Sequence, residues 1–87
     1  MEKVIIYTSN FCPFCIMAKD LLESKGVSYR ELRVDEDQNH MEEAVLKSGG
    51  MKTVPQIFIN DIHVGGFDDL NALDKEGKLD GLLGVQE

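Results

Sequence analysis

Val4-Ile5-Ile6-Tyr7-Thr8, followed after Ser9-Asn10-Phe11 by Cys12-Pro13-Phe14-Cys15-Ile16-Met17-Ala18-Lys19-Asp20-Leu21-Leu22, contains a switch of hydrophobic period. Consecutive Val and Ile imply a strand, Lys3 to Thr8, buried on both faces as at the centre of a sheet flanked by helices. Thr8 to Phe11 reads as a loop. From Pro13 to about Lys25, Ala18, Leu21 and Leu22 make an inward stripe, and Lys19, Asp20 and Glu23 make a wet face. Gly26 supplies a C-terminal stop, so this segment reads as an amphipathic helix. Strand gives way to helix at Cys12 and Cys15, the only two cysteines in the chain.

That placement has chemical consequences. Pro13 suits the first helical position, where a fixed φ helps and a missing N–H costs nothing. Cys12 is then the N-cap, where a side chain normally accepts the free N–H groups of the first turn, here those of Phe14 and Cys15. Those donors and the positive helix end favour a thiolate, so Cys12 is expected to ionise below the ordinary thiol range. Cys15 shares a stripe with Ala18 and Leu22, at spacings of three and seven, and is expected to face inward as a thiol. A lowered thiol pKa raises the thiolate fraction but lowers intrinsic nucleophilicity almost as steeply. As an attacker Cys12 therefore gains little; as a leaving group it gains much, which suits a thiol that cycles through mixed disulfides.

Two other readings of the pair are weaker. As a cross-link, so short a loop constrains the unfolded chain by only about 2 kcal/mol. As half of a zinc site it needs two more ligands, and the only histidines, His40 and His63, stand at no usual finger spacing.

The chain of 87 residues reads as one domain, 1–87, with no room for a second core. Its 43% hydrophobic and 29% charged residues are ordinary for a soluble globular protein. A formal net charge of −7, with nine basic residues scattered along the chain, argues against nucleic-acid and anionic-membrane partners. Four apolar residues after Met1-Glu2-Lys3 are too few for a signal-peptide core, and no run approaches a membrane span. The expectation is a reducing cytoplasm, where a close cysteine pair points to catalysis.

Beyond the first helix, imperfect alternation over Val27–Val34 predicts a second strand. Asp35-Glu36-Asp37 fits a solvated loop entering a helix N-terminus, with a carboxylate metal site as the sharper alternative. A second helix is expected over about Asn39–Ser48, with Met41, Ala44 and Val45 inward and Gly49-Gly50 ending it; His40 near its start reads as a surface residue. Gln56-Ile57-Phe58-Ile59 and Ile62-His63-Val64 around Asn60-Asp61 read as a hairpin. Pro55 stands at the first position of that hairpin, where its missing N–H is tolerated. X-Pro bonds are cis in only about one case in twenty, so sequence by itself leaves Val54-Pro55 trans. A third helix runs from about Asp68 to Glu76 with Leu70 and Leu73 inward. The preceding Gly65-Gly66 turn has two readings: an anion-holding helix start, or a tight turn with Asp68 as cap. Phe14 fits either the core or an exposed place beside the dithiol. Leu79, Leu82 and Leu83, in a tail from Lys78 to Glu87, suggest a short final turn. The order predicts an α/β fold: a four-stranded mixed sheet, two parallel strands plus an antiparallel hairpin, flanked by three helices.

Cys12-Pro13-Phe14-Cys15, Thr53-Val54-Pro55 and Gly65-Gly66-Phe67-Asp68-Asp69, in that order over nearly the whole chain, resemble the dithiol glutaredoxins, most of all the short bacterial ones. The resemblance implies a thioredoxin-like fold and a monomeric glutathione-dependent thiol–disulfide oxidoreductase. Cys12 and Cys15 would be catalytic, with glutathione as reductant and no permanently bound cofactor or metal. Its protein partners would be disulfide-containing or glutathionylated proteins. The resemblance also implies a cis Val54-Pro55 bond, with the Val54 backbone pairing with the substrate's cysteine like an added strand. Phe14, Lys52, Thr53, Val54, Pro55, Gly66, Phe67 and Asp68 would contact glutathione. Its γ-glutamyl carboxylate would meet the N–H groups of Phe67 and Asp68, and its ammonium group Asp68.

The chain departs from the family pattern at three places. Phe14 stands where Tyr is usual, Ser9 where a basic residue is frequent, and Met51-Lys52 where Gln or Arg often precedes Thr53. Lys52 is then the main side-chain cation for glutathione's glycine carboxylate, and weaker glutathione binding is expected. Two rival readings are reduction by thioredoxin reductase, which the Gly65-Gly66 turn disfavours, and an iron–sulfur cluster carrier, which Pro13 and Cys15 disfavour.

Overall fold

The computed structural model describes residues 3–84. β1 (Val4–Thr8) leads through α1 (Pro13–Ser24) to β2 (Arg30–Arg33). α2 (Gln38–Lys47) leads to the hairpin of β3 (Gln56–Ile59) and β4 (Ile62–Gly65), and α3 (Phe67–Lys75) and α4 (Leu79–Leu83) follow. The strands lie in the order β2-β1-β3-β4. β1 runs parallel to β2, with Ile6 opposite Glu31, and antiparallel to β3, with Ile6 opposite Ile57. β4 closes the edge antiparallel to β3. This is the four-stranded mixed sheet expected from the element order, in the thioredoxin-like arrangement that the resemblance implies.

β1 is paired on both edges and covered on both faces, which explains its unbroken apolar run. Val4 and Ile6, with Ile57 and Ile59, pack under Ala18, Leu22, Leu70, Leu79 and Leu83, so α1, α3 and α4 share one face. Tyr7, Leu32 and Phe58 face Ala44 of α2 on the other. The Tyr7 and Phe58 rings meet edge-on with centroids 5.7 Å apart.

Several boundaries move, each for a local reason. β2 is shorter than the expected Val27–Val34, because Val27 and Tyr29 dock on the α1/α3 cluster instead of pairing. α2 starts at Gln38 because Asp37 is its N-cap, accepting from the Asn39 N–H at 2.9 Å. Of its expected inward residues only Ala44 is buried, while Met41 and Val45 are half-buried. Asn60 and Asp61, at φ 52° and 66°, form the left-handed pair that a two-residue hairpin requires. The tail's leucines make α4, a helix beyond the three expected. The Lys3 ammonium ties it to the sheet by donating to the Leu83 carbonyl at 3.1 Å. Lys25, the C-cap of α1, bridges Asp74 at 2.7 Å and Asp80 at 2.9 Å, joining three helix ends. Residues 1–2 and the end of the tail, 85–87, lie outside the described residues. Among the described residues no helix is long and apolar enough to cross a membrane.

Candidate active site

The C-terminal end of β1 delivers the chain to Cys12 through a braced loop. Phe11 takes a left-handed φ of 52°. The Asn10 N–H donates to Asp35 Oδ2 at 3.2 Å, and the Arg33 guanidinium grips the same carboxylate through Nε at 3.0 Å and Nη2 at 2.8 Å. That guanidinium holds the Asp35 carboxyl below the usual carboxylate range. Asp35 and Asp37 are thus occupied as a loop clamp and a helix cap. Among the described residues no group of three or more His, Cys, Asp or Glu side chains could hold a metal.

Cys12 is the N-cap of α1, in extended backbone at φ −116° and ψ 97°, with Pro13 as first helical residue. Its Sγ accepts from the Cys15 N–H at 3.2 Å, as the helix-start argument requires, and lies 3.8 Å from the Val54 carbonyl oxygen. The two cysteines are joined as a disulfide, with Cα atoms 5.2 Å apart. Cys12 is half-exposed while Cys15 is 1% exposed, so an incoming thiolate can reach only the first sulfur.

Beside the dithiol lies a cleft of about 220 Å³. Its walls come from all three separated motifs: Phe14 from the first, Thr53, Val54 and Pro55 from the second, and Gly66, Phe67 and Asp68 from the third. Phe14 is exposed and stacks on Phe67, with centroids 6.4 Å apart and planes at 27°, which resolves its two readings in favour of the surface. The Val54-Pro55 peptide bond is cis. Lys52 is exposed and is not among the lining residues, where its neighbour Met51 stands instead.

Gly65-Gly66 makes the turn into α3 as follows. Gly65 takes φ 117°, a value reserved for glycine, and Gly66 is the N-cap. The alternative with Asp68 as cap is therefore corrected: α3 begins at Phe67, and Asp69 reaches back to accept from the Gly66 N–H at 3.1 Å. The Phe67 and Asp68 N–H groups belong to the first turn, which has no intrahelical acceptors for them, and both residues line the cleft.

Met51, Gln56 and Asp69 also line the cleft, beyond the residues singled out in the sequence as contacts. Asp69 was detectable, since an acidic residue three places after a cap is the reciprocal half of a capping box. Gln56 carried one faint signal: a polar residue opening the apolar run Ile57-Phe58-Ile59. It is 2% exposed.

A disulfide at a helix start, with one sulfur open and one shielded, on a thioredoxin-like sheet, defines a thiol–disulfide oxidoreductase. The family model described as Glutaredoxin matches residues 4–64. The chain is 54% identical over 83 residues to glutaredoxin 3 of Escherichia coli (strain K12), covering 95% of this chain and 99% of that one. It superposes on a dithiolic glutaredoxin of Trypanosoma brucei brucei with TM-score 0.84 and 39% identity, over 94% of this chain and 87% of that one. A buckwheat glutaredoxin, solved as a complex with glutathione, matches with TM-score 0.85 and 26% identity, over 99% and 83% of the two chains. The chain belongs to the glutaredoxin family.

Proposed function

We propose that this protein is a single-domain, cytoplasmic, monomeric oxidoreductase that uses glutathione to reduce protein disulfides and glutathione mixed disulfides. One observation carries the reading: Cys12 Sγ stands 3.8 Å from the Val54 carbonyl, at the rim of a cleft whose far wall is the open first turn of α3. A disulfide whose sulfur meets Cys12 can pair its own backbone with Val54 and lay a carboxylate on the Phe67 and Asp68 N–H groups. Glutathione has that shape, and Thr53, Pro55, Gly66 and the Phe14 ring complete its surround. Asp68 receives its ammonium group. Lys52, exposed at the cleft's edge of the chain, attracts its glycine carboxylate at longer range.

In the monothiol route the Cys12 thiolate attacks the glutathione sulfur of a protein mixed disulfide. The Cys12–glutathione bond forms and the protein thiolate leaves. A second glutathione thiolate then attacks that glutathione's sulfur, releasing glutathione disulfide and restoring Cys12. In the dithiol route Cys12 attacks a protein disulfide. Cys15 gives up its proton, attacks Cys12 Sγ and releases the substrate as a dithiol. Two glutathione molecules reduce the resulting Cys12–Cys15 bond.

The test is turnover of a glutathionylated peptide and of a protein disulfide by single-cysteine variants. Cys15→Ser keeps the first activity and loses the second; Cys12→Ser loses both. In Cys15→Ser, alkylation of Cys12 as a function of pH should show ionisation below the ordinary thiol range. Activity surviving in Cys12→Ser overturns the assignment.

A further inference from the structure

Met51, Thr53, Val54 and Pro55 form a wall of the cleft yet lie outside every strand and helix, and Pro55 has no N–H to anchor them. A buried side-chain amide holds this segment. Gln56 Nε2 donates to the Thr53 carbonyl at 3.0 Å and lies 3.3 Å from Thr53 Oγ1. A carbonyl can only accept, so the amide nitrogen must face Thr53 and Oε1 must face the other way. There it meets His63 Nε2 at 2.7 Å, and because an amide oxygen only accepts, that ring nitrogen is the donor. His63 belongs to the edge strand β4 and does not line the cleft. Its ring is seated on Phe58, with centroids 4.9 Å apart and planes at 29°.

We propose that His63 and Gln56 are positioning residues: an exposed histidine on the sheet edge holds the Gln56 amide, and the amide holds the Thr53–Val54 backbone in register for the substrate's cysteine. This rests on the reading of Val54 as the substrate-pairing residue. The physical case is that a side-chain amide is free to rotate about its last bond unless both ends are engaged. Thr53 engages the nitrogen end, and His63 is the partner that engages the oxygen end, 2.7 Å away. Removing the His63 donor leaves a buried oxygen unsatisfied and lets the amide turn away from Thr53. The wall would then be organised only when substrate binds, and that ordering lowers affinity and leaves the sulfur chemistry intact.

The experiment compares His63→Phe, which keeps a ring on Phe58 but has no donor, with His63→Gln, which restores an N–H. Steady-state turnover of a glutathionylated peptide is measured for both, for Gln56→Leu and for the double variant His63→Phe/Gln56→Leu. His63→Phe should raise KM for the peptide roughly threefold to tenfold, the worth of one hydrogen bond, with kcat within about twofold. His63→Gln should recover part of that loss. In the Gln56→Leu background His63→Phe should add nothing, because its effect runs through the amide. An unchanged KM in His63→Phe, a fall in kcat without a KM change, or full additivity in the double variant overturns the proposal. A wild type that does not turn over the peptide at all instead overturns the functional reading beneath it.

Discussion

Substituting Gly65 by alanine should cost about 2–3 kcal/mol of folding stability, and the reasons separate cleanly. The backbone there sits at φ 117°, where an L side chain costs about 1–3 kcal/mol. An added Cβ would collide with the Asp69 carboxylate: it would overlap Oδ2 and stand 2.9 Å from Cγ and 3.2 Å from the Asp69 Cβ. Asp69 must rotate away, and its bond to the Gly66 N–H, 3.1 Å long, is lost for about 1 kcal/mol more. Alanine's smaller freedom in the unfolded chain offsets about 0.5 kcal/mol of this. Urea unfolding reads the total: with a slope near 1 kcal/mol/M for so small a domain, the midpoint should fall by roughly 2–3 M with the slope unchanged. Repeating the substitution in an Asp69→Ala background isolates the collision, since the cap is already gone and Gly65→Ala should then cost about 1 kcal/mol less. A cost below about 0.5 kcal/mol, or the same cost in both backgrounds, would refute the account of this turn.

Two further substitutions probe other contacts. The buried Tyr7 hydroxyl donates to Glu43 Oε1 at 2.8 Å, and this bond, against partial desolvation and with help from Lys47, holds the Glu43 carboxyl below its ordinary range. A carboxyl lowered on folding contributes stability above its unfolded pKa and loses it as pH falls through the folded value. Tyr7→Phe should therefore cost about 1 kcal/mol at neutral pH, and its gap from wild type should narrow below about pH 4.3. Urea curves at pH 7 and pH 3 check this, and an equal gap at both contradicts the pairing. Lys52→Gln should raise KM for glutathione by roughly threefold, the scale of one exposed charge contact, with no change in thermal midpoint. An unchanged KM removes Lys52 from glutathione recognition.

Much of the site was legible from local rules. Cys12 as cap, Pro13 as first helical residue and an inward-facing Cys15 follow from how any helix begins, and the structure has all three placements. The two-residue Asn60-Asp61 turn and the left-handed Gly26 just past the C-cap of α1 follow from backbone sterics of the same local kind. Val27 and Tyr29 misled because their apolar character serves a helix-facing cluster and no strand ladder. Asp69 and Gln56 escaped notice because their partners are chosen by a turn and by a neighbouring strand.

By itself the sequence determined the order of elements, the asymmetry of the two sulfurs and the resemblance that joins three motifs. Period and capping act over a few residues, and a linear reading can carry them. The tertiary structure decided which distant groups touch: Val54 beside Cys12, Phe14 on Phe67, and His63 on a buried amide that leads to Thr53. Those contacts depend on how strands and helices are laid side by side. That placement is set by the summed burial of Val4, Ile6, Ile57, Leu70 and their neighbours, with no local pattern at the positions that meet.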